Sequence, residues 1–270
     1  TNDVSGGSLV FDGSNQYVSV ATNTSLPAGN SSYTLQAWIK TTSTGAVGVI
    51  GWGDFTTSNN SNALYLNAGD LVNSWGSSSL TVSASSLSSA NKSIINGVWH
   101  LITATYDGTT RSLYVDGALV GSDAPSPTLN LPSSVSNAKI GAINNSKYFS
   151  GSIDELSIWS VALSSSRING YTTSLVDPGS ANLVAYYNFN EGSGTRLNNG
   201  ATATGSAMYG TLVNAPSWNS ASPNSAVATS IDTTITLSDV DSAEMTGATV
   251  TISSVVAVSF KVSSLYFDKP

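Results

Sequence analysis

The sequence predicts an all-β protein, an antiparallel two-sheet sandwich of the jelly-roll kind. Three observations predict it. Short apolar runs of four to eight residues recur along the chain, many alternating apolar with polar positions. Asp-Gly pairs and Asn- and Ser-rich stretches punctuate them as turn formers do. No helical repeat, heptad or strand–helix–strand rhythm competes.

The elements follow in order. Val10-Phe11 ends a strand, Asp12-Gly13 turns, and Tyr17, Val18 and Val20 open the next. Tyr33-Thr-Leu-Gln-Ala-Trp-Ile-Lys40 puts Tyr33, Leu35, Ala37 and Ile39 on one face. Val47 to Trp52 and Ala63 to Leu66 are strands joined by the polar loop 53–62. Val98 to Tyr106 alternates and turns at Asp107-Gly108. The strand from Arg111 answers it and closes on Asp116-Gly117. A strand at 138–142 leads through Asn144-Asn145 to Ile153–Trp159. Ser164 caps the one expected helix, over about 164–171. Strands at 182–190 and 210–213, with Trp218, finish the domain, expected over residues 1–219.

Residues 220–226, rich in Ser with one Pro, read as a linker. Beyond them, 227–270 carries strand-like runs at Thr233–Leu237, Ala248–Ile252 and Val255–Phe260. Fewer than fifty residues bury little core alone, so this stretch reads as a partial β module needing neighbours. Asp239 and Asp241 there suit either a solvated turn or a cation at a module junction.

Composition narrows the function. Charged residues are 9% of the chain, the net charge is −7, and the nine Lys and Arg form no sequence cluster, which argues against nucleic acid. No run of eighteen apolar residues is present to span a membrane as a helix. There is no cysteine, so neither a disulfide nor a thiol contributes. A low-charge, hydroxyl-rich surface suits an extracellular protein, and Ca²⁺ is the natural staple where disulfides are lacking.

The ordered motifs carry a resemblance. Phe11-Asp-Gly-Ser with Tyr17-Val18, Leu35-Gln-Ala-Trp38, Trp99-His100 leading to Tyr106-Asp-Gly108, Leu113-Tyr-Val-Asp-Gly117, Gly151-Ser-Ile-Asp-Glu155 with Ile158-Trp159, and Leu183 to Gly194 follow one another as in laminin-G-like, concanavalin-A-like jelly rolls of bacterial proteins. The resemblance covers residues 4–219. It implies two antiparallel sheets, one concave, with sugars or peptides bound by loops and Ca²⁺ in many members. Asp232 to Ile252 resembles the opening of cadherin- or immunoglobulin-like modules of bacterial surface adhesins.

Asp154 is the anomaly, a carboxylate inside an apolar strand, where charge is tolerated only if paired or metal-bound. One reading makes it a surface or turn residue. The other makes Asp154, Asp12 and the Gly13 backbone ligands of a Ca²⁺, because the resemblance sets the first and last long strands side by side. Asp107 and Asp116 each precede glycine and read as turn residues. For a ligand, the candidates are Asp54, Asn59, Asn60, Asn73 and Trp75 beside the 53–62 loop, with Asn144 and Tyr148 on a second polar loop. Trp38, Trp99 and Trp159 lie in alternating strands and read as core.

Catalysis has little support. His100 is the only histidine and sits in a strand. Glycosidases that share the jelly roll carry Glu-x-Asp-x-x-Glu, whereas the comparable strand here reads Ser152-Ile-Asp-Glu-Leu-Ser157 and lacks both flanking acids. The expectation is therefore a non-catalytic, Ca²⁺-dependent, carbohydrate-binding lectin module of an extracellular bacterial adhesin, set among neighbouring modules of one chain. The alternative is a structural spacer or peptide-binding module of a large surface protein.

Overall fold

The computed structural model describes residues 6–21, 25–126, 129, 137–202 and 208–223. The expected module at 227–270, and residues 224–226 of the expected linker, lie outside them. The strands open with β1 (Ser8–Asp12), β2 (Tyr17–Val20), β3 (Tyr33–Lys40), β4 (Ala46–Gly53), β5 (Ser61–Asn67), β6 (Asp70–Ser74) and β7 (Ser79–Val82). Helix α1 (Ala84–Ser89) precedes β8 (Trp99–Tyr106), β9 (Arg111–Val115), β10 (Ala118–Asp123), β11 (Lys139–Ile140) and β12 (Ser150–Trp159). Helix α2 (Ser165–Gly170) precedes β13 (Leu183–Tyr187), β14 (Arg196–Leu197), β15 (Gly210–Val213) and β16 (Ser217–Asn219).

These strands form two sheets, antiparallel throughout. The first runs β10-β9-β8-β3-β12-β1-β16, with β13 also on β12, and the second β14-β15-β2-β11-β4-β5-β6-β7. The expected jelly-roll sandwich is therefore the fold. Tyr33, Leu35, Ala37 and Ile39 all face the core between the sheets, as their alternation predicts, together with Phe11, Trp52, Leu64 and Ile102. The expected helix is α2, and the Ser164 side chain caps it by accepting the Arg167 N–H. Helix α1 was not expected. Ser83 caps it in the same way through Ser86, and Leu87 is its one buried residue.

A second core lies on the back of the first sheet. Leu101, Tyr114 and Trp159 from that sheet pack there against Leu163, Ile168 and Tyr171 of the α2 region. Polar residues of that back are also sealed, with Thr34, Thr103 and Ser157 at 0% exposure. The middle of the first sheet is thus covered on both faces, while Trp38, Lys40 and Trp99 towards one end of its back are partly open, as are several outward residues of the second sheet.

Strand β12 shows how sequence anomaly becomes geometry. One of its edges pairs with β3. The other pairs with β1 up to Ile153 and with β13 from Leu156. Asp154 and Glu155 fall at the hand-over, where the register against β3 shifts and Glu155 takes a positive φ of 51°. This is a β-bulge, which re-aims side chains and lets one strand serve two neighbours.

Candidate functional site: the open face of the second sheet

The register of the second sheet fixes which side chains look outward. Core-facing Val18, Ile140, Leu64, Leu71 and Leu80 alternate with Tyr17 and Ser19 on β2, Lys139 on β11, Tyr65 and Ala63 on β5, and Val72 and Ser74 on β6. On β4 the outward positions opposite Tyr65, Ala63 and Ser61 are Gly48, Gly51 and Gly53. Glycine is required at two of these. A Cβ on Gly48 would lie 2.5 Å from Ile143 Cγ1, and one on Gly51 would lie 2.7 Å from Ile143 Cδ1 and 3.3 Å from Phe55 Cζ.

Those close approaches carry the main result about the site. Phe55 belongs to the 53–62 loop and Ile143 to the 141–149 loop. The two polar loops singled out from sequence therefore meet over one strip of glycine backbone. Asn137, just before β11, fastens the end of β4: its Oδ1 accepts the Gly53 N–H at 2.9 Å and its Nδ2 donates to the Gly53 carbonyl at 2.5 Å. The second loop turns through Asn144 and Asn145 at φ 48° and 53°, a conformation Asn tolerates, and is closed by the Ile143–Ser146 bridge. Tyr148 then lies 6.4 Å from Tyr17, ring centre to ring centre. The Lys139 ammonium sits over Tyr17 at 5.2 Å, and that of Lys147 over Tyr65 at 5.4 Å. Tyr17, Phe55, Tyr65 and Tyr148 are all half-buried. The face thus presents aromatic side chains among amides and hydroxyls.

The expected ligand residues divide. Asn60, Asn144 and Tyr148 belong to these two loops. Asp54 does too, but its carboxylate shapes the loop. Oδ1 accepts the Thr56 N–H and hydroxyl and Oδ2 the Thr57 hydroxyl, and these bonds, with that from the Thr56 side chain foremost, bring the carboxyl down to about 2. Asn59 is turned inward, its Oδ1 accepting from Ser77.

Asn73 and Trp75 are corrections. Both are 0% exposed and face the core. The Tyr33 hydroxyl donates to Asn73 Oδ1 at 2.7 Å, Trp75 Nε1 donates to the Tyr33 oxygen at 2.9 Å, and Asn73 Nδ2 donates to Asn62 Oδ1 at 2.9 Å. The fully buried Arg111 guanidinium stacks 4.5 Å from the Trp75 ring and pairs with Asp123. These groups fasten the two sheets together from inside, so none reaches a ligand. Tyr17, Phe55, Tyr65, Lys139 and Lys147 were missed. The alternation around Leu64 and Leu66 already turns Tyr65 outward, whereas the loops' meeting over β4 has no local signal.

The expected Ca²⁺ ligands do not assemble. Strands β1 and β12 do lie side by side, but Asp12 pairs with Ser150 while Leu9 pairs with Ile153. Asp154 is therefore four ladder positions from the partner of Asp12, roughly 13 Å along the strand. Asp12 is exposed, and its Oδ1 accepts the Ser14 N–H. Asp154 is 1% exposed. Its Oδ2 accepts the Ser222 hydroxyl at 2.6 Å and its Oδ1 the Glu155 N–H at 2.7 Å. Burial first, and the Glu155 charge second, push its carboxyl up to about 8. Among the described residues no group of three or more acidic or imidazole side chains is placed to hold a metal. Asp12, Gly13 and Asp154 thus do not fit one ion.

A family model described as the concanavalin A-like lectin/glucanases superfamily matches residues 12–169, more than half of the chain. The chain belongs to that superfamily. A candidate carbohydrate-binding protein from Bacteroides ovatus ATCC 8483 has a similar structure, with a TM-score of 0.61 at 20% identity over 79% of this chain. The chain spans 59% of that protein's length. Lower likeness is found to a heptameric SAP-like pentraxin from Limulus polyphemus, with a TM-score of 0.47 at 16% identity over 64% of this chain and 84% of that one. No curated protein sequence matches the chain.

Superfamily membership covers both lectins and glucanases, so the acids matter. Asp154 and Glu155 are buried in the first sheet, with the Tyr186 hydroxyl donating to Glu155. His100 is buried between Asp116, 2.9 Å from its Nδ1, and Asn96, 3.1 Å from its Nε2. These groups lie off the open face. Asp107 and Asp116 serve turns as expected, Asp107 by accepting the Thr109 and Thr110 N–H groups.

Proposed function

We propose that this chain is a non-catalytic, lectin-like carbohydrate-binding module of an extracellular bacterial adhesin, with the open face of its second sheet as the sugar site. The observation that carries the reading is the convergence of the 53–62 and 141–149 loops on the outward side of β4, between Tyr65 and the Tyr17–Tyr148 pair. Sugars are held where aromatic faces meet their C–H groups and amides or hydroxyls meet their own hydroxyls. Such a surface is half-open, rigid at its floor and carried on loops, as recognition surfaces usually are.

The non-catalytic part rests on the acids. Glycoside hydrolysis needs two carboxyl groups about 5–10 Å apart across the scissile bond. Asp54, the acid of the 53–62 loop, is committed to its own threonines.

A glycan array followed by titration tests the reading. Binding is expected, and Tyr65→Ala and Tyr148→Ala should each weaken it about tenfold, since an aromatic contact is worth about 0.5–1.5 kcal/mol beyond the area it buries. Melting temperatures should stay near that of the parent. A blank array at high protein concentration would overturn it and favour the spacer reading. Because Asp12, Gly13 and Asp154 do not fit one ion, binding that vanishes in chelator would place a cation elsewhere. Release of reducing ends from any polysaccharide would revive an enzyme.

A further inference from the structure

The charges of this face run against those of the molecule. The chain carries −7 overall. Yet the outward strand positions of the second sheet include Arg196 on β14 and Lys139 on β11, and the loop above adds Lys147. The acids among the described residues here are Asp70, at the β5–β6 turn, whose Oδ1 takes the Ala84 N–H, and Asp54 on the 53–62 loop, whose oxygens are taken by Thr56 and Thr57. Neither lysine has a carboxylate within ion-pair distance among the described residues. Instead each ammonium rests on a tyrosine ring of the proposed site, Lys139 on Tyr17 and Lys147 on Tyr65.

Two cations with no carboxylate partner among the described residues, held over aromatic rings on an acidic protein, are placed to meet a counter-charge from outside. We infer that the ligand of this face is an acidic glycan whose sugars bear carboxylates, with Lys139 and Lys147 meeting them. This rests on the sugar-binding reading above and names the class of sugar. A carboxylate on a hexuronate lies at the ring edge, so a sugar ring contacting tyrosine can offer its charge to a neighbouring ammonium. Half-burial disfavours the charged form of Lys139, and an anion set against it relieves that cost.

The test compares polygalacturonate, alginate and hyaluronate, each against its own methyl ester, with dextran sulfate and neutral polysaccharides alongside. At least one free acid should bind about tenfold more tightly than its ester at low salt, the combined effect expected of two exposed ion pairs. Lys139→Gln with Lys147→Gln should bring the free acid down to its ester, with melting unchanged. Hydrogen exchange over 139–148 then confirms that the variant is folded as the parent. Equal binding of acid and ester, neutral glycans alone, or dextran sulfate in place of every carboxylated polymer overturns the inference while leaving the sugar site standing. Binding of no glycan at all overturns the sugar site itself.

Discussion

Asp154 is the residue whose chemistry the fold changes most. Its carboxyl is pushed up to about 8 by burial and by Glu155, against the ordinary value of 3.8. The folded protein therefore keeps a proton that the unfolded chain gives up. Stability from this group is fully present below about pH 4 and declines as pH rises towards about 8, because in that window only the folded state binds the proton. The carboxyls held low, Asp54, Asp107 and Asp116, act below that window and in the opposite sense. We expect the parent to melt higher at pH 5 than at pH 8. Asp154→Asn, which is neutral throughout, should narrow that difference; an equal difference in both proteins would contradict the account. The sequence marked this aspartate as anomalous, correctly, because a charge in an apolar strand needs a reason. It did not reveal the reason. Ser222, 68 positions away, seals it, and nothing local announces that pairing. Trp75 failed for the same cause, since its partners Tyr33 and Arg111 come from other strands.

At the level of elements, turn chemistry was the most legible feature. Asp116-Gly117 has positive φ at both positions, 47° and 76°, as a tight hairpin between twisted strands demands. The β5–β6 turn shows the same geometry in Ala68-Gly69, at φ 52° and 87°. It went unread because alanine gives no turn signal. A left-handed alanine is strained by roughly 1–2 kcal/mol, and asparagine tolerates that conformation far better. Ala68 is exposed, so Ala68→Asn should be stabilising by about 0.5–1 kcal/mol, a rise of roughly 1–4 °C in melting temperature. A lower melting temperature would show that the turn is not under this strain. Strands β6 and β7 were also not foreseen. Asn73 is on the inner face by its register, and Trp75, one residue past β6, is buried beside it, although both read as loop residues in sequence.

The whole molecule was legible as a sandwich, because strand length, alternation and turns all point one way. What the sequence could not say is which face stays open. That depends on α2 and its neighbours folding back over the first sheet, a long-range outcome. It leaves the second sheet to carry Tyr17, Tyr65, Tyr148 and the two loops, and every functional proposal above follows from that placement. Amide hydrogen exchange, with and without the tightest-binding glycan from the array, tests it most directly. Slowed exchange is expected in 53–66 and 139–148, with 99–106 and 150–159 of the first sheet unchanged. Protection confined to the first sheet, or to the α2 region, would contradict it.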